Sequence, residues 1–139
     1  MSPMKPPPEQ SSDLIVPKVL AVDDSIAIQD LIRQILKAKY QVFTASNTVE
    51  ALGILYHEKV NLMLLDISLP GVDGLELCRI IRKNALYKNL PIIMVTSRNS
   101  LSDKLEGKMA GASEYLTKPF DPKHLVQTIE TLIPKVAKV

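Results

Sequence analysis

The chain has 139 residues with a formal charge of +2, 46% of them hydrophobic and 23% charged. That length supports one domain with its own core, and the mild charge argues against a dedicated nucleic-acid module. A single cysteine, Cys78, excludes an internal disulfide and a multi-cysteine metal site, so a reducing compartment is the simplest setting.

Residues 1–17 hold five of the ten prolines among polar neighbours, a composition that cannot repay the entropy of ordering and predicts a disordered arm. The opening MSPMKPPPEQSSD lacks the apolar segment of a signal peptide, and no later run is long enough to cross a bilayer. A cytoplasmic protein is expected.

From Lys18 onward short apolar runs alternate with amphipathic segments, the pattern of repeated βα units around a parallel sheet. A strand at Val19–Val22 leads into a helix from Ser25 or Ile26 to about Lys39, with Ile28, Leu31, Ile32, Ile35 and Leu36 on one apolar face. After a second strand at Gln41–Thr44, Asn47 and Glu50 stand as cap and capping-box partner of a helix reaching His57. The stretch Asn61–Leu65 is nearly all apolar, as a central parallel strand covered on both faces requires.

Pro70, Gly71 and Gly74 make a loop into a helix that turns Leu77, Cys78 and Ile81 inward. Pro91 opens a strand at Ile92–Thr96, and a helix over Leu101–Ala110 is ended by Gly111. Ser113–Thr117 forms the last strand. Asp121 caps the last helix and Pro122 starts it; its face of Leu125, Ile129 and Leu132 runs until Pro134. Five strands and five helices give an α/β three-layer (βα)5 sandwich over residues 18–134, with 135–139 as a short tail.

In a doubly wound sheet, ligands bind outside the carboxyl ends of the strands. The expected ends carry Asp23 and Asp24, Asp66, Thr96 and Lys118. One aspartate after a strand reads equally well as a turn residue; five polar groups on one rim do not. Clustered carboxylates call for a cation, and hard oxygen ligands select magnesium, with manganese as a substitute.

Asp66, on the most buried strand, is the candidate nucleophile toward a phosphoryl group, forming an acyl phosphate. Asp23 and Asp24, with Asp66 and the backbone carbonyl of Ser68, are the candidate metal ligands. Lys118 offers a point charge and Thr96 a hydroxyl to phosphoryl oxygens, while Ser97 reads equally well as structural. A cis Lys118-Pro119 bond would suit a turn that aims Lys118 into the rim while Phe120 returns to the core.

The strings VLAVDDS, LMLLDISLPGVDGLELC, IIMVTS and GASEYLTKPF, in that order, resemble the successive motifs of a response regulator receiver domain of two-component systems, over about Lys18 to Ile133. The resemblance implies a flavodoxin-like sheet of strand order 2-1-3-4-5, Asp66 as phosphoacceptor and Asp23 and Asp24 as the acidic pair for magnesium. It also implies Thr96 as switch hydroxyl, Lys118 as the ammonium before a cis Pro119, and Tyr115 as the switch aromatic that rotates inward when Thr96 is drawn toward the phosphoryl group. Such a protein catalyses its own phosphoryl transfer and slow autodephosphorylation rather than a metabolic reaction.

The implied partners are a histidine kinase phosphotransfer domain and a downstream effector that reads the fourth helix, last strand and last helix, with no direct nucleic acid or membrane contact. Lys104, Lys108 and Lys123 fall on those helices, although each taken singly reads first as a solvated charge. A monomer or a phosphorylation-dependent dimer is expected. A lone receiver resembles the stand-alone regulators of chemotaxis, phototaxis and type IV pilus motility. Leu69 stands where the family often has methionine; Ser68 and Arg98 occupy variable sites that bear on the lifetime of the phosphoryl group.

The competing readings are a receiver excised from a larger regulator with a DNA-binding output, a docking module that works without phosphorylation, and a magnesium phosphohydrolase. The last lacks a histidine or glutamate at the expected strand ends to activate water.

Overall fold

The structure, a computed structural model, describes residues 15–133. Most of the expected arm, the tail and Pro134 lie outside the described residues. Pro17, assigned to the arm from sequence, is already tied to the sheet, its carbonyl accepting the Gln41 N–H at 3.0 Å.

Five strands, β1 (Lys18–Val22), β2 (Gln41–Ala45), β3 (Leu62–Leu65), β4 (Ile92–Thr96) and β5 (Glu114–Thr117), pair in parallel in the order β2-β1-β3-β4-β5. Between and after them run α1 (Ile26–Leu36), α2 (Thr48–His57), α3 (Gly74–Arg82), α4 (Leu101–Ala110) and α5 (Pro122–Leu132). This is the expected flavodoxin-like (βα)5 sheet.

Every residue of β3 and β4 is buried because alternate side chains serve two cores. On one face Met63, Leu65, Ile92 and Met94 pack with Leu55 of α2, Leu77 and Ile81 of α3, and Ala110 of α4. On the other, Leu62, Leu64, Ile93 and Val95 meet Ile32 and Leu36 of α1 and Leu125 and Ile129 of α5.

The helices begin where their caps dictate. The side chains of Ser25, Asn47, Asp73, Ser100 and Asp121 each accept a backbone N–H of the first turn, and Ser100 with Asp103 forms a reciprocal capping box. At α2 the expected box is displaced by one residue: the Glu50 carboxylate takes the Ser46 N–H at 2.7 Å. Gly111 ends α4 in the left-handed region at φ 112°, where its carbonyl accepts from Arg82 Nε at 2.9 Å.

Two expectations are corrected, and one element comes unannounced. α1 stops at Leu36 rather than Lys39, because the Lys39 and Tyr40 N–H groups both turn back to the Leu36 carbonyl and the buried Tyr40 steers the chain into β2. Leu31 is 44% exposed and does not belong to the buried face, where Gln29 stands instead. A single 3₁₀ turn at Ala85–Tyr87, which no periodicity announced, is held by the Tyr87 hydroxyl on the Leu55 carbonyl (3.1 Å) and by Arg82 on the Tyr87 carbonyl (2.8 Å).

Candidate functional site

From β1 the chain winds to β2 on one side, then returns to β3 on the other, so the crevice beyond β1 and β3 is the topological switch point. Asp23 and Asp66 each follow their strand by one residue and extend the ladder: the Asp23 N–H reaches the Ala45 carbonyl and the Asp66 N–H the Val22 carbonyl, both at 3.0 Å. Their carboxylates are thereby held on rigid backbone.

Each of these two buried acids commits Oδ1 to its own turn. Asp23 accepts the Ser25 N–H at 2.9 Å, and Asp66 the Ser68 N–H at 3.2 Å. Each aims Oδ2 at the ammonium of Lys118, at 2.6 Å from Asp23 and 3.1 Å from Asp66. Asp24 is exposed, yet carboxylate oxygens of Asp23, Asp24 and Asp66 all lie within 4.8 Å of one another. Burial raises the proton affinity of Asp23 more than its bonds to Lys118 and Ser25 lower it. Burial works against the charge on Lys118, but the Asp23 hydrogen bond and the two carboxylate charges outweigh it and hold the lysine above its ordinary range.

The donor set suits a small hard cation: three carboxylates converge, and among the described residues the exposed Ser68 carbonyl accepts no backbone hydrogen bond, while that of Ile67 is taken by Leu69 and Gly74.

Thr96 ends β4 fully buried, and its carbonyl accepts the Lys118 N–H at 2.8 Å, which fixes the start of the lysine beside the rim. The Lys118-Pro119 bond is cis. The Thr96 hydroxyl accepts the Arg98 N–H at 3.4 Å, and the Arg98 carbonyl accepts the Tyr115 hydroxyl at 2.8 Å. Thr96 and Tyr115 are therefore linked through the Arg98 backbone, an intermediary that the sequence reading did not assign. Burial, then the charge of Asp103, raises the Tyr115 phenol. Ser97 is exposed.

Two further residues shape the site. A Cβ on Gly74 would lie 2.1 Å from the Asp66 carbonyl oxygen, so only glycine lets α3 start against the backbone of Asp66. Gln29 Nε2 donates to the Asp23 carbonyl at 2.7 Å and to Ser46 Oγ at 3.0 Å, bracing the β1 end of the rim. Its signal was a polar residue three before Ile32, on the buried stripe of α1.

The family model described as response regulator receiver domain matches residues 19–130. The chain belongs to this family. The receiver is 35% identical to protein PilG of Pseudomonas aeruginosa over 132 residues, 94% of this chain and 96% of that one. It is 37% identical to the phosphate regulon transcriptional regulatory protein PhoB of the same organism over 116 residues, 83% of this chain but only 51% of PhoB. Among solved structures it resembles chemotaxis protein CheY4 of Vibrio cholerae, at 37% identity and a TM-score of 0.81, over 86% of this chain and 100% of that one. The acidic cluster of the receiver is consistent with a phosphoacceptor site, and no helix of the described residues is long and apolar enough to cross a membrane.

Proposed function

We propose that this chain is a phosphorylation-dependent switch of a two-component phosphorelay. Asp66 accepts a phosphoryl group from the phosphohistidine of a kinase phosphotransfer domain: a carboxylate oxygen attacks phosphorus, the P–O bond forms, the P–N bond breaks, and the imidazole leaves with the electron pair. The observation that carries this reading is the convergence of Asp23, Asp24 and Asp66 carboxylate oxygens within 4.8 Å of one another, with the Lys118 ammonium paired to Asp23 and Asp66.

Asp23, Asp24, Asp66 and the Ser68 carbonyl would hold Mg²⁺, or Mn²⁺ in its place. Bound there, the ion would offset the repulsion between phosphoryl oxygens and carboxylates. Lys118, already beside Asp66, neutralises a phosphoryl oxygen, and the Thr96 hydroxyl donates to another. Drawing Thr96 toward that oxygen releases the Arg98 N–H, and Arg98 carries the change to Tyr115. Ser68 and Arg98, both exposed beside the site, tune how long the phosphoryl group survives.

The α4-β5-α5 face is the surface offered to a downstream effector. Leu101, Leu105 and Met109 are 74%, 52% and 86% exposed along one side of α4, next to Lys104 and Lys108, with Lys123 at the start of α5. An effector in taxis or motility accords with the likeness to a chemotaxis protein. The reading places the protein in the cytoplasm, as a monomer or a phosphorylation-dependent dimer.

The test is intact-mass measurement after incubation with acetyl phosphate or phosphoramidate. One phosphoryl adduct is expected that requires magnesium, is lost in base and disappears in Asp66→Ala. An adduct that persists in that variant would remove Asp66 from the role, and no adduct with any donor would leave a docking module that works without phosphorylation.

A further inference from the structure

Gly107 lies buried in the second turn of α4, and its backbone is ordinary right-handed helix. Glycine is among the poorest residues for a helix interior and alanine the best, so neither conformation nor propensity asks for glycine here. Space does. A Cβ at this position would stand 3.0 Å and 3.1 Å from Cδ2 and Cε2 of Tyr115 and 3.6 Å from Cγ of Met94. Carbon atoms in good contact sit about 3.5–4.0 Å apart, so a side chain at 107 would make the ring give way by a few tenths of an ångström.

The far end of the same ring is tied down. The Tyr115 hydroxyl donates to the Arg98 carbonyl at 2.8 Å, and the Arg98 N–H goes to the Thr96 hydroxyl. Tyr115 thus spans from the bare Cα of Gly107 to the turn that follows Thr96. Moving the ring off Gly107 by a few tenths of an ångström pulls its hydroxyl against a bond with little slack.

We propose that Gly107 is a positioning residue for the switch: by lacking a Cβ it seats the Tyr115 ring against α4 and so couples that helix to the Thr96 end of the phosphorylation site. The proposal rests on reading Tyr115 as the switch aromatic. Its consequence is that α4, with Leu101, Leu105 and Met109 on its outer side, moves with the ring rather than independently of it.

Two measurements on the full chain separate the proposal from the reading beneath it. The first uses parent, Gly107→Ala, Tyr115→Ala and the double variant, without phosphodonor. Gly107→Ala should raise the thermal midpoint by a few degrees in the Tyr115→Ala background, where the ring is gone, and should lower it or leave it unmoved in the parent. An equal rise in both backgrounds overturns the proposal. If Gly107→Ala alone does not fold, recovery of folding in the double variant is the expected result, and an unfolded double variant overturns it.

The second measurement follows Tyr115 ring and α4 amide resonances with acetyl phosphate and magnesium. Gly107→Ala should take the Asp66 adduct to the same extent as the parent while the phosphorylation-dependent shifts along α4 fall at least twofold. Undiminished α4 shifts overturn the coupling role. A parent whose α4 and Tyr115 do not respond to phosphorylation overturns the switch reading itself, and the stability cycle then still decides whether Gly107 seats the ring.

Discussion

Lys118 lies closer to Asp23 than to Asp66, its Nζ standing 2.6 Å from the first carboxylate and 3.1 Å from the second. The lysine leads out of β5 with its own N–H on the Thr96 carbonyl, so one residue ties the β4-β5 backbone to acids borne by β1 and β3. Because both acids are buried and Lys118 is largely so, this cation is the counter-charge without which two carboxylates would be stranded in a desolvated crevice.

Replacing Lys118 with methionine therefore removes a charge rather than volume. Breaking a buried pair costs about 3–5 kcal/mol. The low end is expected, because burial already raises the proton affinity of Asp23, which eases its neutralisation once the ammonium is gone. Urea unfolding in chelator should show the loss, and added magnesium should restore part of it, since a ligand that binds only the folded state stabilises it. A midpoint unchanged in chelator would contradict the account.

Gly74→Ala tests the backbone beneath the phosphoacceptor candidate. The new Cβ would meet the Asp66 carbonyl oxygen at 2.1 Å and two further backbone atoms at 2.8 Å, and none of these can swing aside as a side chain would. Overpacking of this kind costs about 1–3 kcal/mol, against the gain that alanine brings to a helix start. Lower stability together with slower adduct formation at Asp66 is expected. A variant as stable and as reactive as the parent would show that α3 can retreat freely.

The parts of this molecule legible in the sequence were those written in local period and composition. LMLL read as a central strand because it is nearly all apolar and both faces of such a strand are covered, IIMVT as the strand that Pro91 opens, and Asn47 and Asp121 marked the starts of α2 and α5, whereas the caps Asp73 and Ser100 were not read. The rim acids, Thr96 and Lys118 were legible because a parallel sheet delivers whatever follows its strands to one edge. Relations set by tertiary contact were not legible. Gly74 looked like a loop residue, since nothing local says that the Asp66 backbone will pass 2.1 Å from a Cβ there. Gln29 was passed over, and Leu31 was placed on the apolar face of α1, because periodicity cannot say that the inner stripe would hold an amide bound to the Asp23 carbonyl. Arg98 was noticed for its side chain, whereas its backbone makes the link between Thr96 and Tyr115.

Cys78 should behave as an inert core thiol. It is fully buried among α3 and sheet residues, and burial pushes its thiol above the ordinary range, with Arg82 and Arg79 countering only in part. The folded chain then keeps this proton in a range where the unfolded chain has lost it. Its contribution to stability is whole below the unfolded thiol value, about 8.5, and declines as pH rises through and beyond it. A disulfide reagent at neutral pH should label Cys78 slowly in the native protein and at the free-thiol rate in denaturant. Rapid labelling without denaturant would mean that α3 opens far more readily than its packing suggests.

Thr96→Val separates acceptance of the phosphoryl group from its readout. Valine keeps the branched shape in a fully buried position, and the Thr96 carbonyl can still receive the Lys118 N–H, so the rim stays in place. What disappears is the hydroxyl. The Arg98 N–H loses its acceptor, but Arg98 is exposed and water replaces the bond, which keeps the stability change within about 1 kcal/mol. Asp23, Asp24, Asp66 and Lys118 are untouched, so intact mass should still show an adduct on Asp66, at reduced yield because one donor to the phosphoryl oxygens is missing. The signal, however, has no route: without the hydroxyl nothing moves the Arg98 turn when Asp66 is modified, and Tyr115 keeps its bond to the Arg98 carbonyl in both states. The variant should therefore lose most of the phosphorylation-dependent shift of the Tyr115 ring resonances while retaining the adduct, whereas shifts equal to the parent's at matched adduct levels would remove Thr96 from the relay.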